Sequence, residues 1–242
     1  MEKVFFTKPA RPAVLIKRLN RFAARVLDAR GNELMVHVPN SGRLQELLFP
    51  GAEVLVTGDY QHTRKTRADL TLTKTPDGQN WVCIDARLPG KLLEASLPRF
   101  LGLFDLGEWV VIGREPAFGQ GRFDLLLGRG ARRCLVETKC VTLVQDYVAL
   151  FPDAPTQRGR RHMEELVEAR KYGYETAVVL IVQRQDAAMF TPHDVLDPAF
   201  GQALRFAAAH GVHIFACACR VDPEGIELDR ALPVNLSQKN MR

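Results

Sequence analysis

The sequence lacks a long apolar run, and this absence excludes a membrane-spanning helix. The longest purely apolar stretch in its 242 residues is AVVLIV at 177–182, whereas a helix needs about 20 apolar residues to cross a bilayer. The first 19 residues contain Glu2 and two prolines but no apolar block, unlike a secretory signal. We therefore expect a cytoplasmic protein that makes no contact with a membrane.

Cysteine is scarce, and its spacing suggests neither disulfides nor a zinc site. The five cysteines are Cys83, Cys134, Cys140, Cys217 and Cys219. An odd number without a disulfide framework or paired metal-ligand spacing indicates reduced thiols. The sequence also has no Walker loop, no dinucleotide-binding glycine pattern and no serine hydrolase signature. These absences give no support to the common nucleotide-binding and acyl-transfer enzymes.

The net charge of +5 is modest, but it is unevenly distributed. Residues 1–85 contain 13 Lys and Arg against 9 Asp and Glu, whereas the rest of the chain contains 20 against 19. A basic amino-terminal unit beside a nearly neutral one favours a polyanion as partner of the first. Many basic proteins bind nothing acidic, so charge alone does not identify the partner.

The first third of the chain is typical of a small β-barrel. Short apolar segments alternate with turn sequences such as ARGN, FPG and PDGQ, at the regular spacing of an all-β unit. Only SGRLQELL at 41–48 resembles a helix, with Ser41 as its candidate N-cap. The predicted strands are 13–19, 21–28, 33–39, 52–60, 67–75 and 80–86. We predict a five-stranded barrel of the OB type as the first domain, residues 1–86.

The remaining residues, 87–242, predict a second domain with a mixed sheet and packed helices. A helix at 90–102 is interpreted as the hinge between the two domains. The further predicted helices are 156–172, which starts after the N-cap Thr156 and stops at Gly173, and 199–211. The predicted strands are 108–116, 122–128, 133–144, 176–183 and 212–221. The fold class is therefore α+β, with two domains.

An acid and an amine stand close together in the apolar strand CLVETKCVTLV, residues 134–144. Glu137 and Lys139 are two residues apart, so they share one face of the strand. Asp124 lies in the preceding predicted strand and meets them if the two strands form a hairpin. Two carboxylates suit a hard cation such as Mg²⁺ or Mn²⁺, and a lysine beside it can assist an attacking water or a charged phosphate. The alternative is a structural ion pair on a strand.

This arrangement resembles the D…(D/E)-x-K pattern of the PD-(D/E)XK nuclease superfamily, with RFD in place of the usual Pro-Asp. The chain as a whole resembles the sugar fermentation stimulation protein (SfsA) family. The matching segments are HVPNSGRL (37–44), GRFDLLL (121–127), VETKCVTL (136–143), FPDAPTQRGRRHMEEL (151–166) and LPVNL (232–236).

The resemblance implies an OB-fold barrel, a restriction-endonuclease-like α/β domain and DNA binding without sequence specificity. It also implies a role in regulating sugar metabolism, maltose in particular. Carried onto this chain, the nuclease-like site consists of Asp124, Glu137 and Lys139. Glu115, in the preceding strand, is a candidate third metal ligand beside the two carboxylates. The resemblance does not establish that the site cuts nucleic acid.

Basic side chains at the start of a predicted helix are candidates for phosphate contact. Arg158, Arg161 and His162 lie near the amino-terminal end of helix 156–172, where positive charge opposes the helix dipole. A phosphate bound to the free N–H groups would explain this placement. The alternatives are a solvated basic turn and, for His162, a structural contact.

Two segments of the predicted barrel are further candidates for nucleic-acid contact. The loop QHTRKTR at 61–67 contributes Arg64, Lys65 and Arg67, as expected at the basic rim of a nucleic-acid-binding barrel. The turn NSGR contributes Arg43 near a second candidate anion site. A solvated loop is an equally good explanation for the first segment, and a simple turn for the second.

Two classes of function remain open from the sequence. The first is a DNA-binding protein, with RNA as a further candidate partner, in which the nuclease-like domain is a second contact surface. The second is a Mg²⁺-dependent endonuclease that uses Asp124, Glu137 and Lys139. A small-molecule enzyme of sugar metabolism is a weaker third, because no motif indicates a pocket.

Overall fold

The first part of the chain forms a β-barrel. A computed structural model describes residues 3–6, 9–58, 66 and 68–237. The strands of this part are β1 (Val4–Phe5), β2 (Ala10–Asn20), β3 (Ala23–Asp28), β4 (Glu33–His37), β5 (Glu53–Thr57), β6 (Asp69–Lys74) and β7 (Trp81–Cys83). Strands β2 to β7 form one sheet in the order β4-β3-β2-β5-β6-β7.

The sheet closes on itself where β4 meets β6, with His37 opposite Asp69. Alternate side chains point inward, so Ala13 and Leu15 are buried while Val14 between them is exposed. The closed interior is one apolar core, built around residues such as Val36 and Leu70. The prediction of an OB-type barrel is confirmed.

The predicted helix at 41–48 is wrong. The segment is a loop with a single turn, in which the N–H of Leu48 donates to the carbonyl of Leu44 at 2.8 Å. Leu44 itself has a left-handed backbone, with φ of 50°, which is incompatible with a right-handed helix. Contacts of this loop with Asp153, far along the chain, replace the hydrogen bonds of a helix.

The second part of the chain adds four helices and eleven strands within the described residues. The helices are α1 (Pro89–Ala95), α2 (Leu97–Leu103), α3 (Gln157–Lys171) and α4 (Pro198–Ala209). The strands are β8 (Val110–Arg114), β9 (Ala117–Phe118), β10 (Gly121–Arg122), β11 (Leu125–Arg129), β12 (Arg132–Val141), β13 (Leu143–Gln145), β14 (Val148–Phe151), β15 (Glu175–Val182), β16 (Met189–Pro192), β17 (His213–Asp222) and β18 (Gly225–Ala231).

A mixed seven-stranded sheet in the order β1-β18-β17-β15-β12-β11-β8 lies at the centre of this part. Its middle strands β12, β15 and β17 are parallel, and the outer pairs are antiparallel. Helices α3 and α4 cover one face, and α1 and α2 cover the other. Both faces of β15 are therefore buried, which explains its continuous apolar sequence. The predicted restriction-endonuclease-like fold class is confirmed.

Helix α3 starts and ends as its sequence predicts. The side-chain oxygen of Thr156 accepts the N–H of Gly159 at 3.0 Å, which satisfies one of the free donors of the first turn. Gly173 has a φ of 84°, a left-handed conformation that ends helices and favours glycine. Among the described residues, no helix has both the length and the apolar composition needed to cross a membrane.

The predicted helix at 90–102, which was interpreted as the hinge, is not continuous. It consists of the two short helices α1 and α2, which meet at Ser96 and pack on the central sheet. Leu55, Leu72 and Cys83 of the barrel belong to the same apolar cluster, so the two parts share a core. Strand β1, which falls within the predicted first domain, pairs with β18 at the edge of the second sheet.

Candidate metal and nucleic-acid site

Glu137 and Lys139 lie in the middle of the central sheet. Both point towards the layer of α3 and α4, because they alternate with side chains that face α1 and α2. Leu135 and Val141 precede and follow them on the same face and are buried. Glu137 is only 5% exposed, and the Lys139 side chain is 12% exposed. The sheet therefore places an ion pair where a pair of apolar residues would be expected.

Two side chains, Lys139 and His162, compensate the buried negative charge of the Glu137 carboxylate. Its Oε1 atom lies 2.5 Å from Nζ of Lys139 and 2.6 Å from Nδ1 of His162 in α3. Burial by itself would raise the pKa of Glu137, but the charge of Lys139 and the contact with His162 outweigh it and lower the pKa. Glu137 is therefore ionised at neutral pH.

Asp124 joins this site from the neighbouring strand. Asp124 directly precedes β11, and its N–H donates to the carbonyl of Val136 in β12 at 3.1 Å. The Oδ2 atom of Asp124 accepts both the N–H and the hydroxyl of Thr138, each at 2.6 Å. Burial and the negative charge of Glu137 raise the pKa of Asp124, although the Thr138 hydrogen bonds oppose the shift. The two carboxylates therefore repel each other across the hairpin.

The donor set fits a hard divalent cation bound mainly by water. The described contacts use Oε1 of Glu137 and Oδ2 of Asp124, which leaves one oxygen on each carboxylate for a cation. Within the described ranges, no cluster of three or more His, Cys, Asp and Glu residues could hold a metal ion. Mg²⁺ commonly binds through one or two carboxylates and keeps several waters. Two carboxylates therefore suffice for such a site.

Glu115 lies apart from this pair of carboxylates. It directly follows β8 and has a left-handed backbone, with φ of 48°. Its N–H donates to the carbonyl of Asp124 at 3.0 Å. The Glu115 carboxylate, however, is 75% exposed and lies 3.6 Å from the guanidinium of Arg122. The structure therefore brings its backbone to the site but not its side chain.

His162 is an internal partner of Glu137 rather than a surface contact. It is only 1% exposed, and its Nε2 atom lies 3.3 Å from Nε of Arg158. Because the side chain does not reach solvent, we do not include His162, which was predicted to contact nucleic acid, in the exposed basic surface. Its spacing to the buried Leu166 and Ala169, i+4 and i+7, could have placed it on the inner helix face. Thr138, which donates to Asp124, was also not predicted as part of the site. No helical or strand pattern in the sequence indicates that contact.

Arg158 and Arg161 are exposed at the start of α3, as predicted. No acidic residue occurs in the first turn of the helix. Arg158 is joined to the buried site through His162, and Arg161 lies 3.6 Å from the carboxylate of Glu165 one turn later. Arg158 therefore adds positive charge next to His162, whereas the charge of Arg161 is offset in part by Glu165.

Arg43 lies on the loop at 41–48 of the barrel. Its loop is fixed to the second sheet, because Nδ2 of Asn40 lies 3.9 Å from Sγ of Cys140, the residue after Lys139. The N–H of Leu44 also donates to Asp153 at 3.3 Å. Arg43 is exposed on this loop. The remaining candidates Arg64, Lys65 and Arg67 lie outside the described residues.

Comparison with known proteins identifies the family. The model of the SfsA N-terminal OB domain matches residues 16–84, and that of the sugar fermentation stimulation protein RE domain matches 87–225. A sugar fermentation stimulation protein homolog of Natranaerobius thermophilus is 44% identical over 92% of this chain and 93% of its own. A homolog of Thermoanaerobacter sp. is 40% identical over 89% and 92% of the two chains.

A solved structure agrees with this result. The structure of Pyrococcus furiosus SfsA in complex with Ca²⁺ matches with a TM-score of 0.86 at 29% identity, over 97% of this chain and 99% of that one. The two domain matches follow one another along the chain in the order of the barrel and the sheet. The chain belongs to the sugar fermentation stimulation protein (SfsA) family.

Proposed function

We propose that this protein binds nucleic acid, DNA in the first place, largely without sequence preference, and that Asp124 and Glu137 hold a divalent cation. The observation that carries the proposal is a pair of carboxylates, Glu137 within β12 and Asp124 just before β11, with Lys139 beside Glu137. Two mutually repelling acids are costly in a sheet unless a cation joins them. The P. furiosus relative was solved in complex with Ca²⁺, a hard cation that takes oxygen ligands. Mg²⁺ and Mn²⁺ are the cations we propose for this chain.

The proposed nucleic-acid surface consists of the exposed Arg43, Arg158 and Arg161 around the carboxylates. Arg43 comes from the barrel and the other two from α3, so both parts of the chain would contact one bound strand. Guanidinium groups bind phosphate oxygens in any sequence. RNA presents the same phosphates and is the second candidate partner. A role in regulating sugar metabolism, maltose in particular, stays a prediction that rests on the family alone.

A Mg²⁺-dependent endonuclease is the second candidate, favoured because Asp124, Glu137 and Lys139 are all intact. A bound divalent cation would polarise the phosphodiester and lower the pKa of a coordinated water. Asp124 and Glu137 would hold the cation, with Glu137 oriented by His162. The ammonium group of Lys139 would neutralise negative charge that develops on the phosphate, or exchange a proton with the water.

Incubation of the purified protein with labelled DNA and RNA, with and without Mn²⁺, tests both candidates. Binding without cleavage supports the first. Cleavage that is lost in Asp124→Asn, Glu137→Gln and Lys139→Ala, but kept in Glu115→Gln, supports the second. Glu115→Gln is the matched control, because it removes a nearby carboxylate that lies outside the pair. Failure to bind either nucleic acid at low salt would refute both.

A further inference from the structure

A cavity of about 160 Å³ lies on the face of the central sheet opposite Glu137, beneath α1 and α2. Its wall is largely apolar and contains three aromatic side chains, Phe100 from α2, Trp109 before β8 and Phe215 from β17. Val136 and Ala177 form its floor on the sheet. An apolar cavity of about 150 Å³ is large enough to bind benzene in a protein interior. This cavity therefore has the size and lining for one aromatic ring.

One end of the cavity is polar. Arg132 and Glu175, at the starts of β12 and β15, line this end and are joined by two hydrogen bonds, one of 2.8 Å. The guanidinium of Arg132 also lies 5.2 Å from the ring centre of Trp109. The charges of this pair cancel, and its geometry is fixed by the stacked ring.

Arg129 lines the same end of the cavity and has no ion-pair partner among the described residues. Its Nη1 donates to the carbonyl of Leu106 at 3.2 Å. In the described part of the chain, no carboxylate lies within ion-pair distance of Arg129, and the side chain is exposed at the mouth. The polar end therefore has one positive charge that a ligand could neutralise.

We propose that this cavity binds a small aromatic carboxylate, with its ring among Phe100, Trp109 and Phe215 and its carboxylate at Arg129. A ligand that consists only of an apolar ring would contact only the apolar walls of the cavity. The unpaired guanidinium of Arg129 favours a ligand that also carries an anionic group. The site is separate from the pair Asp124 and Glu137 and does not depend on nucleic-acid binding. Val136 connects the two, since it lines the cavity and its carbonyl accepts the N–H of Asp124 at 3.1 Å.

Titration with benzoate, followed by the fluorescence of Trp109, tests the proposal. The sequence has two tryptophans, so Trp81→Phe leaves Trp109 as the single reporter. We expect a saturable change in Trp109 emission and a rise in melting temperature. Arg129→Gln should weaken benzoate binding by about tenfold or more, because a charged hydrogen bond is lost. Binding of the uncharged analogue benzyl alcohol should not change in that variant.

Two further variants make the result specific. Arg133→Gln is the matched control, since this exposed arginine bonds to nearby carbonyls and does not line the cavity. It should bind benzoate as the parent does. Ala177→Leu should abolish binding by filling the floor. The proposal is overturned if up to about 10 mM benzoate, far above a millimolar Kd, changes neither signal. It is also overturned if Arg129→Gln and Arg133→Gln have equal effects.

Discussion

At the residue scale, the carboxylate of Glu137 meets two neighbours at one oxygen. Lys139 and His162 both contact Oε1, so that burial does not neutralise the acid. Since Oε2 is left for a cation, the ion pair and the metal site are compatible interpretations of the same geometry. If Glu137 and Lys139 formed only a structural ion pair, Asp124 would not need to lie so close to Glu137 that the charge of Glu137 raises its pKa.

We predict that Mn²⁺ raises the melting temperature of the wild type and of Lys139→Ala, but not of Glu137→Gln. A bound cation stabilises the native state by mass action, which gives about 5 °C or more at a hundredfold excess over Kd. Lys139 repels the cation in the resting site and is not needed to bind it. The control Glu115→Gln should keep the full shift in differential scanning calorimetry. Equal shifts in wild type and Glu137→Gln would place the metal elsewhere.

Asp124→Asn should stabilise the metal-free protein at neutral pH. Folding raises the pKa of Asp124 above its ordinary 3.8, so ionisation favours the unfolded state once the pH exceeds the ordinary value. This penalty is complete above the folded pKa and disappears below pH 3.8. Asparagine removes the charge, and its oxygen can still accept from Thr138. Urea unfolding at pH 7 and pH 3.5 measures the difference, and a variant less stable than wild type at pH 7 would contradict it.

At the element scale, local patterns predicted some segments because local contacts form them. Thr156 and Gly173 bound α3 through hydrogen bonds and a backbone conformation that lie within the helix ends. The buried strand β15 was equally clear from its apolar run. The loop at 41–48 was mispredicted because residues far away along the chain hold it, among them Asp153, which accepts the N–H of Leu44, and Arg18, which donates to the carbonyl of Gly42.

The candidate site likewise combines contacts that follow from the local sequence with contacts that depend on tertiary packing. Glu137 and Lys139 are two residues apart in one strand, so their common face follows from the sequence. The contact of His162 with Glu137 depends on how α3 packs on β12, which no local pattern contains. The small sheet of β13, β14 and β16 depends on tertiary packing in the same way. The break between α1 and α2 at Ser96, in contrast, follows locally from Pro98 in the first turn of α2.

Thr156→Ala should destabilise the protein by about 1 kcal/mol, the usual value of an N-cap. The helix would lose the acceptor for the N–H of Gly159. Thr156→Ser keeps a hydroxyl in the same position and is the matched control, with an expected change near zero. Chemical denaturation of both variants provides the measurement. Equal losses would mean that the methyl group of Thr156, rather than its hydroxyl, stabilises the start of α3.

At the scale of the whole molecule, nucleic-acid binding should be electrostatic and tolerant of sequence. If several phosphates are neutralised, log affinity falls linearly with log salt. Arg161→Gln should reduce that slope by about 0.9 on duplex DNA, one phosphate contact. Arg133→Gln, an exposed arginine at the opposite end of β12, should leave it unchanged. A preference above about a thousandfold for one duplex, as in specific regulators, would contradict the proposal.

A fragment of residues 104–242 should fail to fold. It lacks α1 and α2, which contribute five side chains to the apolar cluster on the sheet, Leu92, Leu93, Leu97, Phe100 and Leu101. At about 2 kcal/mol each, their loss is on the order of 10 kcal/mol, comparable to the stability of a whole domain. A fragment from residue 87 keeps both helices and is the control, expected to melt cooperatively at a lower temperature. Cooperative melting of fragment 104–242 in circular dichroism would show that the sheet does not need α1 and α2 to fold.

The pairing of β1 with β18 has a consequence for the order in which contacts form. Val4 lies in the first described strand, whereas its partner Ile226 lies in the last. The barrel strands between them pair over much shorter stretches of chain, and contacts between residues close in sequence cost less loop-closure entropy. We therefore expect the barrel to close before β1 reaches β18. Until then the edge of β18 keeps unpaired amide groups, which invite association with other chains.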